Sequence, residues 1–135
     1  MHSLSSLELG DFNNELVTNM NSMFSGCNSL TTLNLSNFKT PSAKYMDNMF
    51  YKCEKLTTLD LSSFNTQSAE NLENMFYNCN SLSYLKLGDF NNAHVTNMNS
   101  MFYECSSLTT LDLTNFNTQS AQNMNNMFYN CNKLI

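Results

Sequence analysis

Charge is scarce in this sequence. Only 13% of its 135 residues are Asp, Glu, Lys or Arg, and the formal net charge is -5. A nucleic-acid backbone would want a basic stripe, so no nucleic-acid partner is expected. Glycine is nearly as rare, with three residues and no phosphate-cradling loop among them. The two histidines are His2 and His94, and no Cys-x-x-Cys or His-rich spacing offers a zinc site. No apolar run exceeds a Met-Phe-Tyr triplet, so no membrane-spanning helix is expected. An apolar signal segment after Met1 and a lipidation motif at either end are also missing.

Polarity comes instead from Ser, Thr and 24 Asn. Such a composition could belong to a disordered polar tract. Disorder is excluded because 41% of residues are hydrophobic and fall in strict columns. Leucine recurs at Leu4, Leu30, Leu56, Leu82, Leu108 and Leu134, and cysteine at Cys27, Cys53, Cys79, Cys105 and Cys131. A Met-Phe pair precedes each cysteine, and the 26-residue spacing is unbroken. A fixed period of this size is the signature of a repeat architecture whose units stack only on their neighbours. The chain divides into five units, 4–29, 30–55, 56–81, 82–107 and 108–133. Units 4–29 and 82–107 agree at 19 of 26 positions, and units 56–81 and 108–133 at 20 of 26, which points to duplication of multi-unit blocks. Neither end offers a polar capping unit, so the sequence is read as a piece of a longer protein, with any signal or anchor outside it.

Within a unit, Leu59 and Leu61 alternate with Thr58 and Asp60, the pattern of a short half-buried strand. Equivalent strands at a constant offset predict a parallel sheet. Further on, Leu72, Met75, Phe76 and Cys79 fall at i, i+3, i+4 and i+7, which predicts a short α- or 3₁₀-helix of about two turns. Between them Asn65-Thr66, like Lys39-Thr40 and Asn91-Asn92, is read as an exposed turn. The expected fold class is therefore an α/β repeat solenoid, with a parallel sheet on one side and short α or 3₁₀ segments on the other.

Each column with chemical potential also has a plainer reading. Met20, Met46, Met98 and Met124 could suggest a soft-metal site, but Leu72 shares their column, so they are packing. The five thiols are odd in number and point in parallel, so they are expected to be free buried cysteines rather than disulfides. His94 sits in a column with Leu16 and Ser42, which marks it as a surface residue. Asp60 and Asp112 share the open strand face two units apart, about 10 Å, with Lys86 between them, wider than the carboxylate separation that glycoside hydrolases use. No enzyme, cofactor or metal is expected. Tyr51, Tyr77, Tyr103 and Tyr129 form a further ladder, read as packing at an edge.

The remaining candidates lie on the open strand face: Thr32, Asn34, Thr58, Asp60, Tyr84, Lys86, Thr110 and Asp112. Tyr84 and Lys86 interrupt otherwise uniform columns, and an aromatic on a small-residue surface is a natural anchor for a partner. Protein binding through this face is the first expectation. A structural spacer or self-assembling array is the second, because uncapped ends would expose Leu, Phe and Met and allow end-to-end association. Ice binding through the Thr columns is a minor third, since Tyr84 and the acidic column break the flat Thr surface.

The motifs LTTLDLSSF, VTNMNSMF (Val17–Phe24 and Val95–Phe102) and the Cys-x-x-Leu closing each unit resemble the 26-residue repeat of BspA-like leucine-rich-repeat surface proteins, first described as a mycoplasma domain of unknown function. The resemblance runs from Leu4 to Leu134. It implies a right-handed leucine-rich-repeat coil with its parallel sheet on the concave face. It further implies an extracellular or cell-surface protein that adheres to host matrix proteins or neighbouring cells. It brings no shared ligand residues to carry across.

Overall fold

The computed structural model describes residues 4–10 and 12–135. Its 26-residue units lie one on another, and four strands mark the first four: β1 (Ser6–Glu8), β2 (Thr32–Asn34), β3 (Thr58–Asn65) and β4 (Tyr84–Asp89). β1 pairs with β2 and β3 with β4, both in parallel, and Ser6 faces Thr32 as Thr58 faces Tyr84. The strand read from the sequence forms in the first four units, and its alternation there is as expected, with Leu33 and Leu59 buried between exposed Thr and Asn or Asp.

One continuous sheet does not form. The strands make two separate pairs, and the fifth unit contributes none. Between β2 and β3 a side chain bridges instead: the Ser63 hydroxyl donates to Leu35 O at 2.9 Å or Phe38 O at 2.6 Å. β3 is also longer than its partner and shifts register between Leu61 and Asn65. Gly88 makes that shift possible, because a Cβ there would lie 2.2 Å from Phe64 O and 2.5 Å from Leu61 O.

The short helices predicted over Leu72–Cys79 and its equivalents are absent among the described residues. The backbone donors show why. Leu72, Asn74, Phe76 and Asn78 send their N–H groups to Asn97, Asn99, Met101 and Tyr103 in the next unit, at 2.8–2.9 Å. The intervening Met75, Tyr77 and Cys79 donate three residues back, to Leu72, Asn74 and Phe76, at 3.1–3.3 Å. A helix would keep every donor within the segment. Here every second donor binds the neighbouring unit, giving a stack of consecutive turns. Left-handed residues enforce it, with φ of 54° at Asn74 and 63° at Asn78, and equivalent values at Ser22, Asn48, Ser100 and Asn126. The i, i+3, i+4 spacing of apolar residues reflects the turns' common inward side. A second line of parallel bridges, Asn19–Tyr45–Asn71–Asn97–Asn123, runs through all five units.

The core is a set of like-on-like ladders. Phe24, Phe50, Phe76, Phe102 and Phe128 stack at 5.3–5.6 Å with interplanar angles of 4–11°. Leu30, Leu56, Leu82 and Leu108 are fully buried, as are Met46, Leu72 and Met98. In the first and fifth units Phe12, Met23, Met124 and Phe128 are exposed.

The turn at Asn65-Thr66 is not exposed as its sequence suggests. Thr40, Thr66 and Asn92 have no accessible surface at all. Their side chains replace ladder bonds in the interior. Thr66 Oγ1 donates to Asn92 Oδ1 at 2.7 Å and accepts from Asn92 N–H at 2.9 Å. Thr40 Oγ1 donates to Asn65 O at 2.6 Å and accepts from Asn65 N–H at 2.9 Å. Asn14 does the same with the backbone of Lys39. Inter-unit bonding satisfies polar groups that a solvated turn would leave to water.

Candidate functional site

The strand face carries the exposed alternate residues of each strand. Thr32 and Asn34 lie on β2, Thr58 and Asp60 on β3, and Tyr84 and Lys86 on β4. Thr110 and Asp112 follow at the equivalent place of the fifth unit, and all eight are exposed. Parallel register sets Thr58 beside Tyr84 and Asp60 beside Lys86. The structure therefore brings the eight expected residues onto one surface.

Their chemistry is uneven. Asp60 Oδ1 accepts from Ser62 N–H at 2.9 Å, and the bonds from Ser62, followed by the charge of Lys86, hold its carboxyl below the usual range. Asp112 is held low in the same way by the hydroxyl and N–H of Thr114. Both carboxylates are thus tied into local turns and remain ionised, which suits fixed negative charges beside Lys86. Two shallow cavities open on this face. One, of about 510 Å³, extends from β1 to β4, and the other, of about 310 Å³, lies between β4 and the fifth unit. Tyr84, 53% exposed, borders both. Lys86 and Asp112 line the second from opposite sides. This second cavity exists because residues 109–113 do not pair with β4, a gap that strand periodicity could not reveal.

In the interior, the buried Asn92 Nδ2 has no hydrogen-bond partner. Its counterpart Asn14, one column-mate in the first unit, gives the same group to Lys39 O. His94 is exposed, as its variable column suggested.

The turn stack presents the tyrosine ladder. Tyr51–Tyr77, Tyr77–Tyr103 and Tyr103–Tyr129 have ring centroids 4.9, 4.6 and 4.7 Å apart, with interplanar angles of 21°, 3° and 15°. The first three rings are half-buried and Tyr129 is exposed, while Lys52 Nζ lies 5.4 Å from the Tyr51 centroid. The other two tyrosines, Tyr45 and Tyr84, stand outside the ladder.

The five cysteines are free, and four are buried. Each thiol after the first donates to a phenylalanine carbonyl 29 residues earlier, as Cys79 does to Phe50 O at 3.2 Å. Burial, then the neighbouring thiol, pushes Cys53 up to about 12, so it is protonated and unreactive near neutral pH. Among the described residues no three His, Cys, Asp or Glu side chains gather as metal ligands.

Stacked in-phase units define a repeat protein. A family model described as "Mycoplasma protein of unknown function, DUF285" matches residues 2–91 and 60–135, two overlapping stretches that cover practically the whole chain. The chain belongs to that family. No curated protein and no solved structure matches it.

Proposed function

We propose that the chain is a non-catalytic protein-binding module whose partner docks on the strand face, with Tyr84 as the anchor. One observation carries this reading: Tyr84 stands half-exposed on a face of small polar residues and borders both of its cavities. Large aromatics at the centre of a patch supply much of an interface's binding energy, and charged neighbours such as Lys86 and Asp112 set register and rate. The unpaired edge of β4 adds main-chain groups that an extended partner segment could use. The same reading takes the stack as a leucine-rich-repeat-like, right-handed solenoid with this face concave, and places the protein outside the cell or on its surface. Host matrix proteins and the proteins of neighbouring cells are the partner class in view.

Binding of the purified chain to immobilised extracellular-matrix proteins tests the proposal. The Tyr84→Ala, Lys86→Ala double variant should weaken a measured interaction by at least about 2 kcal/mol, roughly thirtyfold. Unchanged affinity would sink the strand-face reading. A structural spacer or self-stacking array is the second reading, supported by the like-on-like phenylalanine ladder through which each unit packs on the next. It makes the double variant silent and light scattering concentration-dependent.

A further inference from the structure

We infer that Tyr51, Tyr77, Tyr103 and Tyr129 form an oxidative cross-linking site, at which a one-electron oxidant joins neighbouring units through dityrosine. This does not rest on the binding role proposed for the strand face. Neighbouring rings are 4.6–4.9 Å apart and within 21° of parallel. Near-parallel planes at this spacing set the π face of each phenol against the next, the arrangement in which two neighbouring ring radicals can overlap. The rings keep an accessible edge, since three are half-buried and Tyr129 is exposed. Bond formation draws the two ortho carbons together from the stacked spacing, and rearomatisation then swings the rings edge to edge by rotation of both side chains. Tyr45 lacks such a neighbour, because its column otherwise holds Asn19, Asn71, Asn97 and Asn123. Tyr84 lacks one too, since its column holds Ser6, Thr32, Thr58 and Thr110.

The co-reactant is hydrogen peroxide acting through a haem peroxidase. Two phenols each lose one electron and one proton to give phenoxyl radicals, while one peroxide is reduced to two waters. The radicals combine at their ortho carbons, forming one C–C bond. The hydrogens on those carbons then leave as protons and the oxygens are reprotonated. Each link therefore removes two hydrogen atoms from the chain overall. A link between consecutive ladder positions closes a 26-residue loop and restricts the unfolded chain.

The test is treatment of the dilute protein with a haem peroxidase and hydrogen peroxide. We expect blue biphenol fluorescence on a chain that stays monomeric, lacks two hydrogens per link and melts at a higher temperature than untreated protein. Peptide mapping should join Tyr51 to Tyr77, Tyr77 to Tyr103 or Tyr103 to Tyr129. Tyr77→Phe with Tyr129→Phe keeps the stacked rings but leaves no adjacent phenols, and the intrachain product should be lost. Tyr103→Phe alone should confine it to Tyr51 and Tyr77. Tyr45→Phe with Tyr84→Phe should leave the yield unchanged. Links found only between chains, links involving Tyr45 or Tyr84 within one chain, or an intrachain product that survives in the Tyr77/Tyr129 variant would each overturn the assignment.

Discussion

Asparagine is the residue that the sequence advertises and that the structure gives a use. Its abundance reads as compositional bias, yet its side chains recur in fixed structural duties. Asn19, Asn71 and Asn97 each accept, at 2.9–3.0 Å, the N–H two residues on, and Asn13, Asn34, Asn65 and Asn117 do the same elsewhere in the unit. Others take left-handed backbone that most residues avoid, at Asn48, Asn74, Asn78, Asn92, Asn126 and Asn130. Asn does both because its short amide mimics a backbone group and tolerates positive φ. The interior Thr–Asn pairs escape sequence reading for a related reason: a threonine or asparagine beside a turn looks solvated until the partner one unit away is known. Thr66→Val tests their weight, since it keeps the shape and removes the hydroxyl that serves both Asn92 Oδ1 and Asn92 N–H. With two polar atoms left unpaired in the interior, we expect a loss of about 1–3 kcal/mol in urea unfolding. A loss within error of zero would mean that water reaches this ladder.

At the scale of the element, strands were legible and the turn stack was not. Leu59 and Leu61 between Thr58 and Asp60 read as a strand and form one, whereas the identical LTTLDL run of the fifth unit forms none, so alternation marks where a strand can pair and not whether it does. Leu72, Met75, Phe76 and Cys79 admit two readings, since a helix and a stack of turns both bring i, i+3 and i+4 to one side. The deciding feature is the left-handed pair Asn74 and Asn78, which splits the donors between two units. Glycine marks this poorly here: Gly26 shares its column with Lys52, Asn78, Glu104 and Asn130, all at positive φ. The expected binding face was legible as a set of exposed columns, but not the gap beside β4, which arises from failed pairing rather than from any residue pattern. Gly88 is the element-scale exception, required by the backbone of β3 rather than by φ. Gly88→Ala drives a methyl against the carbonyls of Phe64 and Leu61. It should separate β3 from β4 and lower stability by at least about 1–3 kcal/mol, the range for overpacking. Gly26→Asn, with open space around its Cβ position and Asn already tolerated at that φ in other units, is the matched control and should be near neutral. Equal effects from the two would remove the special role given to Gly88.

For the molecule as a whole, stability follows from position along the stack. Each unit touches only those before and after it, so a side chain in the middle is covered twice and one at the outside once. Phe76 and Phe128 occupy the same column and differ chiefly in this respect. Phe76 is fully buried between Phe50 and Phe102, at 5.6 and 5.3 Å, whereas Phe128 stacks on Phe102 alone and is 38% exposed. Phe76→Ala should therefore cost about 3–5 kcal/mol, transfer and cavity together. Phe128→Ala leaves a notch open to water rather than a cavity, and should cost roughly 1 kcal/mol. Denaturant unfolding of the two variants at several protein concentrations measures the difference. Because the contrast comes from geometry alone, it is insensitive to the small differences in propensity between units. If Phe128→Ala costs as much as Phe76→Ala, and the cost grows with protein concentration, the outer face is covered by a second copy in solution. If it costs as much at every concentration, the nearest-neighbour account of this stack fails, and longer-range coupling between units must replace it.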